Sequence, residues 1–259
     1  LIESVEKERY ESWYQPIINA KTKRLYAHEG LFRIKDELDN IVPPALAFKL
    51  AEASDLLFSL DLVARRSAVE CAAKARLEGK LFINFNPSSI YDPSYCLRAT
   101  ASSIYEIGLR PEDVVFEVTE THRATDLNQL KGILCFYRSA GFKVALDDIG
   151  SGWSGLNLLQ SLRPDYVKID MELVRNVHND EYKQNIVTNL IRIARTNGIE
   201  VIAEGIETEE EAQWLTDANA DYLQGYLYGK PEPAKIDMSY EEKEKIEASL
   251  KPLDNAAKA

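Results

Sequence analysis

Polar and ionisable side chains interrupt the apolar runs of this sequence at a recurring place, and their types suggest metal chemistry. Leu81-Phe82-Ile83-Asn84-Phe85 carries an amide, and Val114-Val115-Phe116-Glu117-Val118 a carboxylate. Val144-Ala145-Leu146-Asp147-Asp148, Tyr166-Val167-Lys168-Ile169-Asp170 and Val201-Ile202-Ala203-Glu204-Gly205 end in the same manner. Burying an unpaired carboxylate costs several kcal/mol even after relaxation, so repeated placement argues for a shared purpose. Glu29, Glu117, Asp147, Asp148 and Glu204 are carboxylates, and Lys168 is the strand-end cation among them. Held in one mouth, these charges repel one another unless counter-charge arrives, and two divalent ions supply it. The donors are all oxygen, the Asn84 carbonyl included, which favours Mg²⁺, Mn²⁺ or Ca²⁺ over Zn²⁺. Adjacent Asp147 and Asp148 can feed two ions, with Asp147 bridging. Such a site activates water and clamps an in-line displacement at phosphorus. A single strand-end carboxylate is more often a helix N-cap or a surface ion pair, but chance rarely aligns the whole set. The competing chemistry is that of enolase-like barrels, where Mg²⁺ and a Lys base remove a proton beside a carboxylate. Paired Asp147-Asp148 and the lack of a second base argue against it.

These groups need elements that bring them to one face. Strands are expected at 13–18, 25–31, 81–85, 114–118, 143–146, 166–169, 200–203 and 222–223, with amphipathic helices at 57–78, 127–140 and 183–197 among the segments between them. Glu78-Gly79, Ala140-Gly141 and Asn197-Gly198 fit left-handed helix ends. Alternating strands and helices predict a mostly parallel sheet, closed as a modified TIM-type (β/α)8 barrel, with an open doubly wound sheet as second choice. The turn 19–24 is too short for a parallel crossover, so the first two strands should be antiparallel. Strand C-termini of a barrel converge on the face that carries its active site. The barrel domain is expected over 1–236, followed by a solvated helix and frayed tail over 237–259.

Composition narrows the partners. The 259 residues hold 31 Lys+Arg against 42 Asp+Glu, a formal charge of −11, which disfavours sequence-independent grip on long nucleic acid. Cys71, Cys96 and Cys135 form no CxxC pair, so buried reduced thiols in a cytoplasmic domain are expected. No apolar run approaches a membrane span and no signal peptide is visible. The start at Leu1 suggests a piece of a longer protein, whose other segments would carry a sensory or regulatory domain or a membrane anchor.

The ordered motifs resemble the EAL domain, the bacterial phosphodiesterase module that hydrolyses cyclic di-GMP. Tyr14-Gln15-Pro16-Ile17 is similar to its opening strand, and Glu29-Gly30-Leu31-Phe32-Arg33 to its ExLxR signature. Ile83-Asn84, Glu117-Val118-Thr119-Glu120, Asp147-Asp148-Ile149-Gly150-Ser151-Gly152 and Lys168-Ile169-Asp170 follow in order. Ala203-Glu204-Gly205-Ile206-Glu207-Thr208 and Gln224-Gly225-Tyr226 close the series, so the resemblance spans about 14–231. It implies that Glu29, Asn84, Glu117 and Asp147 hold one Mg²⁺ or Mn²⁺, and Asp147, Asp148 and Glu204 a second, with Ca²⁺ inhibitory. Lys168 would hold or deprotonate the attacking water, with Glu204 and Glu29 also counted among the catalytic groups. Arg33 would pair with a phosphate, Gln15 with a guanine edge, and Gln224 would support the pocket. Glu120 would anchor the loop 149–154 (Ile149, Gly150, Ser151 and Gly152 included), which couples a homodimer to the metal site. The product would be linear pGpG. The alternative is a silent cyclic di-GMP receptor, but no ligand or base position is lost. Departures are Gly30 for Ala, Ile34 where Trp is frequent, Ile149 for Phe and Trp153 where Tyr is common.

Other residues carry weaker expectations. Strand alternation points His28 away from Glu29, toward a helix. His122 and His178 lack ligand spacing. Trp13, Tyr14, Tyr26 and Phe85 suit core or rim. The acidic run 207–211 suits a helix N-terminus, with an indirect role open for Glu207.

Overall fold

The computed structural model describes residues 2–87, 90, 97, 100–101, 104–105, 108–119, 127–151 and 155–234. Ten strands are present among them: β1 (Tyr10–Asn19), β2 (Leu25–Lys35), β3 (Ile41–Val42), β4 (Lys80–Asn84), β5 (Val114–Thr119), β6 (Lys143–Ile149), β7 (Tyr166–Ile169), β8 (Glu200–Ala203), β9 (Tyr222–Gln224) and β10 (Glu232–Pro233). Their order is β10-β1-β9-β8-β7-β6-β5-β4-β2-β3, and β1 also pairs with β2. That extra pairing closes β1, β2 and β4 to β9 into an eight-stranded barrel. The two-residue β3 and β10 are appended outside the ring.

Local chemistry explains the irregular start. Asn19 Oδ1 accepts from the Lys21 and Thr22 amides at 3.1 and 2.9 Å, an Asx turn that reverses the chain at once. β1 therefore runs antiparallel to both of its barrel neighbours, β2 and β9, while β2 and β4 to β9 pair in parallel. Helices Leu57–Lys74, Leu127–Ser139, Gly155–Leu162, Glu181–Thr196 and Glu209–Asp217 cover the outside.

Strand alternation puts the apolar residues of the barrel into two main cores, and a third, smaller cluster of Phe32, Ile34, Ala47, Ala51, Leu60 and Ala64 packs the end of β2 against the helices that follow it. The larger main core packs the outward strand residues, such as Ile83, Phe116 and Val144, against the helices. The smaller main core fills the barrel interior with Ile17, Ala27, Phe82, Val115, Ala145, Tyr166, Ile202 and Tyr222. The plug contributes one residue from each of the eight strands.

Two expectations need correction. The helix beginning at Leu57 ends at Lys74, not at 78, because Arg76 takes the left-handed conformation (φ 51°) and Leu77 N–H turns back to Ala72 O at 3.0 Å. Gly79 is thus no cap of that helix. Its φ of +86° brings the chain against β2, where a Cβ would lie 2.5 Å from Tyr26 O. The helix Pro44–Ala53 has no counterpart among the expected elements. Gly141 and Gly198 do follow helix ends in the left-handed region. The expected helix and tail of 237–259 lie outside the described residues. Among the described residues, no helix is long and apolar enough to cross a membrane.

Candidate metal centre and active-site cleft

Period two carries the argument from the plug to the site. Stepping two residues toward the mouth from the eight plug residues reaches Gln15, Glu29, Asn84, Glu117, Asp147, Lys168, Glu204 and Gln224. On antiparallel β1 the step runs backwards, from Ile17 to Gln15. The ring that floors the mouth is thus polar throughout, over a wholly apolar or aromatic layer.

Lys168 occupies the middle of this ring and is 1% exposed. Its Nζ lies 2.7 Å from Glu204 Oε1, 2.9 Å from Glu117 Oε1, 3.3 Å from Glu29 Oε2 and 3.4 Å from Asp147 Oδ1. Three amides complete the ring. Asn84 Nδ2 donates to Glu29 Oε1 at 3.0 Å, and Gln224 Nε2 donates to Glu29 Oε2 at 2.7 Å and to Gln15 Oε1 at 3.2 Å. Gln15 Nε2 in turn donates to Gly229 O at 3.1 Å. Asp148, half-buried with φ 57°, gives its N–H to Asp147 Oδ1 at 2.9 Å.

One ammonium cannot neutralise four carboxylates, of which Glu29, Glu117 and Asp147 are buried and Glu204 nearly so. Burial pushes the Glu117 and Glu204 carboxyls well above their ordinary range, and neighbouring carboxylates add to the rise against the pull of Lys168. Asp147 is raised for the same reasons. Asp148 is pushed to about 6, by burial and then by Asp147. Glu29 is opposed by burial too, but Lys168 and the bonds from Gln224 and Asn84 hold it below its usual value. Burial would lower Lys168, yet its carboxylate neighbours hold it well above the ordinary range.

The donor set fits divalent cations. Asp147, Asp148 and Glu204 each present an oxygen within 4.8 Å of the others. Glu117 keeps both carboxylate oxygens out of water with no aligned hydrogen-bond donor, since Lys168 meets Oε1 only as an ion pair. Oxygen ligands in a flexible spread suit hard cations such as Mg²⁺, Mn²⁺ or Ca²⁺.

Above the ring opens a cleft of about 290 Å³, walled by Gln15, Glu29, Leu31, Asp148, Glu204, Gln224 and Tyr226. A larger groove of about 630 Å³ lies at the other end of the barrel, beside the starts of β7 and β8, away from these groups. Arg33 stands farther along β2, with its guanidinium 5.2 Å from the Trp13 ring centre and Nη1 donating to Phe32 O. It shares the inward face of β2 with Glu29 but does not line the cleft. At the end of β6, Ile149 is buried, and in the loop that follows Ser151 Oγ donates to Asp148 O at 2.9 Å. Gly150 has φ +108°, and a Cβ there would strike the Leu173 side chain. Glu120 and Gly152 lie outside the described residues. His28 faces outward, its Nδ1 3.1 Å from Glu78 O.

The cleft also holds Met171 and Arg175, from the segment after β7, which sequence reasoning passed over, beside Asp170 and Glu207, which the motifs had named without a direct role. Arg175 and Glu207 form a two-pronged ion pair at 2.7–2.8 Å. Glu211, expected only as favourable charge at a helix start, is fully buried and accepts from the Asn176, Glu207 and Thr208 amides. The spacing of Thr208 and Glu211 signals a capping box, which is present. No local pattern marks the bond to Asn176, on a different loop.

The sequence matches the EAL domain family over residues 1–231. It is 28% identical over 233 residues to the cyclic di-GMP phosphodiesterase PdeL of Escherichia coli, covering 89% of this chain and 64% of that protein. A standalone EAL protein from Vibrio cholerae, solved with c-di-GMP bound, superposes with a TM-score of 0.77 at 36% identity, covering 86% of this chain and 92% of that one. Klebsiella pneumoniae BlrP1, solved as a manganese/cyclic di-GMP complex, superposes with a TM-score of 0.78 at 35% identity, covering 86% of this chain and 56% of that one. The chain thus spans less than two thirds of PdeL and of BlrP1. Sequence match and shared barrel together make the chain a member of the EAL domain family.

Proposed function

We propose that this domain hydrolyses cyclic di-GMP to linear pGpG with Mg²⁺ or Mn²⁺. The observation that carries the reading is the buried Lys168 ammonium within 3.4 Å of four carboxylates at the mouth of an EAL-family barrel. On this reading Glu29, Asn84, Glu117 and Asp147 would hold one ion, and Asp147, Asp148 and Glu204 the other. Divalent ions, when bound, make water a nucleophile near neutral pH and offset the charge that gathers on phosphorus.

The chain's own residues supply placement and proton control. Lys168 Nζ donates a hydrogen bond to the attacking oxygen, and its carboxylate neighbours fix where that ammonium points. Glu204, 2.7 Å from Lys168 Nζ, is placed to accept the proton that leaves the water. Glu29 is locked by Asn84 and Gln224, so it cannot swing out of the ring. Arg33, on the same face of β2, turns from Trp13 toward a substrate phosphate. Gln15 and Gln224 present amides at the cleft wall. The new bond is water oxygen to phosphorus, the P–O3′ bond breaks with its electron pair going to O3′, and the departing 3′-oxygen takes a proton from solvent to become a hydroxyl. Metal charge and Arg33 admit a dianion to an acidic domain. Around this core we place a homodimer coupled through Glu120 and 149–152, within a longer cytoplasmic protein carrying a regulatory segment.

Incubating the domain with cyclic di-GMP and Mn²⁺, with product followed by chromatography, tests the reading. pGpG should accumulate, Glu29→Ala should abolish it, and Ca²⁺ should inhibit because its larger, looser coordination displaces the reacting groups. Intact nucleotide after long incubation sinks the enzyme reading, and tight binding without product leaves a receptor.

A further inference from the structure

The helix Leu57–Lys74 carries a charge pair on its buried face. Asp61 and Arg65, one turn apart, are 3% and 0% exposed, beside buried Leu60, Ala64 and Ala68. Arg65 Nε donates to Asp61 Oδ2 at 3.0 Å, and Nη2 stands 2.8 Å from the same oxygen. A buried ion pair seldom stabilises a fold more than apolar side chains of similar volume, so what it holds is the clue to its use. Here it holds the residues that follow Asn84. Asp61 Oδ1 accepts from the Asn86 N–H at 3.1 Å, and the Arg65 guanidinium lies 5.8 Å from the Phe85 ring centre. Arg65 Nη1 also donates to Thr100 Oγ1 at 2.9 Å, a further anchor for the guanidinium. Asn84 is the exposed member of a ring whose other members are buried or nearly so, and it is the last residue of β4. Its side chain is placed by the backbone beneath it and by one bond, Nδ2 to Glu29, which leaves Oδ1 for an ion.

Resting on the reading that Asn84 holds a divalent ion, we propose that Asp61 and Arg65 are positioning residues for the metal centre, acting through the backbone of Phe85 and Asn86 to fix where Asn84 Oδ1 is presented. The pair works from the helix layer, behind the ring. Asp61 holds the peptide between Phe85 and Asn86, and Arg65 covers the side chain between that peptide and Asn84. Phe85 N–H donates to Glu117 O at 3.0 Å, so the same short stretch keeps Asn84 in register with Glu117. Without the clamp the end of β4 loses two anchors. A hard cation whose oxygen ligands come from separate strands then finds one of them displaced, and its affinity falls.

The test measures Mn²⁺ binding by calorimetry without nucleotide, and the Mn²⁺ dependence of cyclic di-GMP turnover. It uses wild type, Asp61→Leu/Arg65→Met, Arg65→Lys, Asn84→Ala and each clamp variant combined with Asn84→Ala. The double substitution removes both charges together, so no ion is left buried alone, and its Tm in EDTA should stay close to that of wild type. Its Mn²⁺ affinity should fall about tenfold or more, the scale for losing a group that orients a metal ligand. Turnover should need correspondingly more Mn²⁺, with the maximum at saturating Mn²⁺ held within a few-fold. On the Asn84→Ala background the double substitution should cost no further Mn²⁺ affinity, because the ligand it positions is gone. Arg65→Lys keeps the charge but not the planar fork, so it should show a smaller loss that also vanishes without Asn84, and it carries the test if the double variant does not fold. Unchanged Mn²⁺ affinity in the clamp variants, or an equal loss with and without Asn84, overturns the proposal and leaves the pair a tie between helix and loop. The parent reading then still stands on the Mn²⁺ binding and turnover of wild type. Wild type that binds no Mn²⁺ overturns both.

Discussion

Lys168 sits where two demands on one side chain can be separated. On the proposed hydrolysis it orients the reacting oxygen, and in the metal-free fold it is the ammonium against four carboxylates. Lys168→Met should therefore lower turnover by about a thousandfold or more, because the ammonium that positions the reacting oxygen is gone. It should also destabilise the metal-free domain by about 3 kcal/mol, the scale for stripping a partner from a buried ion cluster. Urea unfolding in EDTA and then in Mn²⁺ separates the two effects. Mn²⁺ should restore much of the stability and none of the turnover, whereas recovery of both would show that Lys168 is only a counter-charge. At this scale the sequence was most legible where a polar residue broke an apolar run, as at Asn84, Glu117, Asp147, Lys168 and Glu204. Gln15 and Gln224 were found only through the family resemblance, because a Gln near a strand end is unremarkable by itself. Arg175 was missed because it follows a four-residue helix, Met171–Val174, and no sequence spacing shows that this places it opposite Glu207.

At the element scale Glu211 ties the start of the helix Glu209–Asp217 to the loop carrying Arg175. Three backbone N–H groups converge on its carboxylate, at 2.8, 2.9 and 3.3 Å. Burial alone would raise its pKa, but these bonds hold the carboxyl below the ordinary value. The linkage sign follows. A depressed native pKa contributes stability above the unfolded value of about 4.3, lost as pH falls through the native pKa. Glu211→Gln should thus be less stable than wild type at pH 7, by about 1–3 kcal/mol for the donors left poorly matched. The gap should close on acidification below about pH 4, and urea melts at pH 7, 5 and 3.5 would show it; a gap independent of pH removes the charged-cap account. Elements were legible wherever periodicity persisted. β7 and β8 match their expected bounds, and the helix Glu181–Thr196 begins two residues early because Asp180 caps it by accepting from the Tyr182 and Lys183 amides. The helix 57–74 was overextended because an apolar pattern continues past Arg76, whose left-handed turn is a tertiary choice that propensity does not reveal.

Across the whole molecule, barrel closure converts a period of two into chemistry. One face of each strand gives an apolar plug residue, and the next inward position gives a polar ring residue, so closure gathers the carboxylates of separate strands into one mouth. Closure itself was legible from the strand count and from the short 19–24 turn, which forces the antiparallel β1. The appended β3 and β10 were not, since two-residue strands carry no pattern. A fold that gathers acid in this way should be most stable when cations fill the mouth. A ligand that binds only the native state stabilises by about 2.7 kcal/mol at a hundredfold excess over Kd, or about 5–10 °C in Tm for a domain of this size. Mn²⁺ should give a shift of that order in wild type. Asp147→Asn should abolish it and yet be no less stable without metal, because it removes one charge that burial and its neighbours already disfavour. The domain carries a formal charge of −11, so divalent ions could also gather loosely over its surface. Thermal melts of both proteins in EDTA, NaCl-matched buffer and Mn²⁺ distinguish the two sources. An equal Mn²⁺ shift in Asp147→Asn would assign the effect to the surface and remove the metal centre from the account.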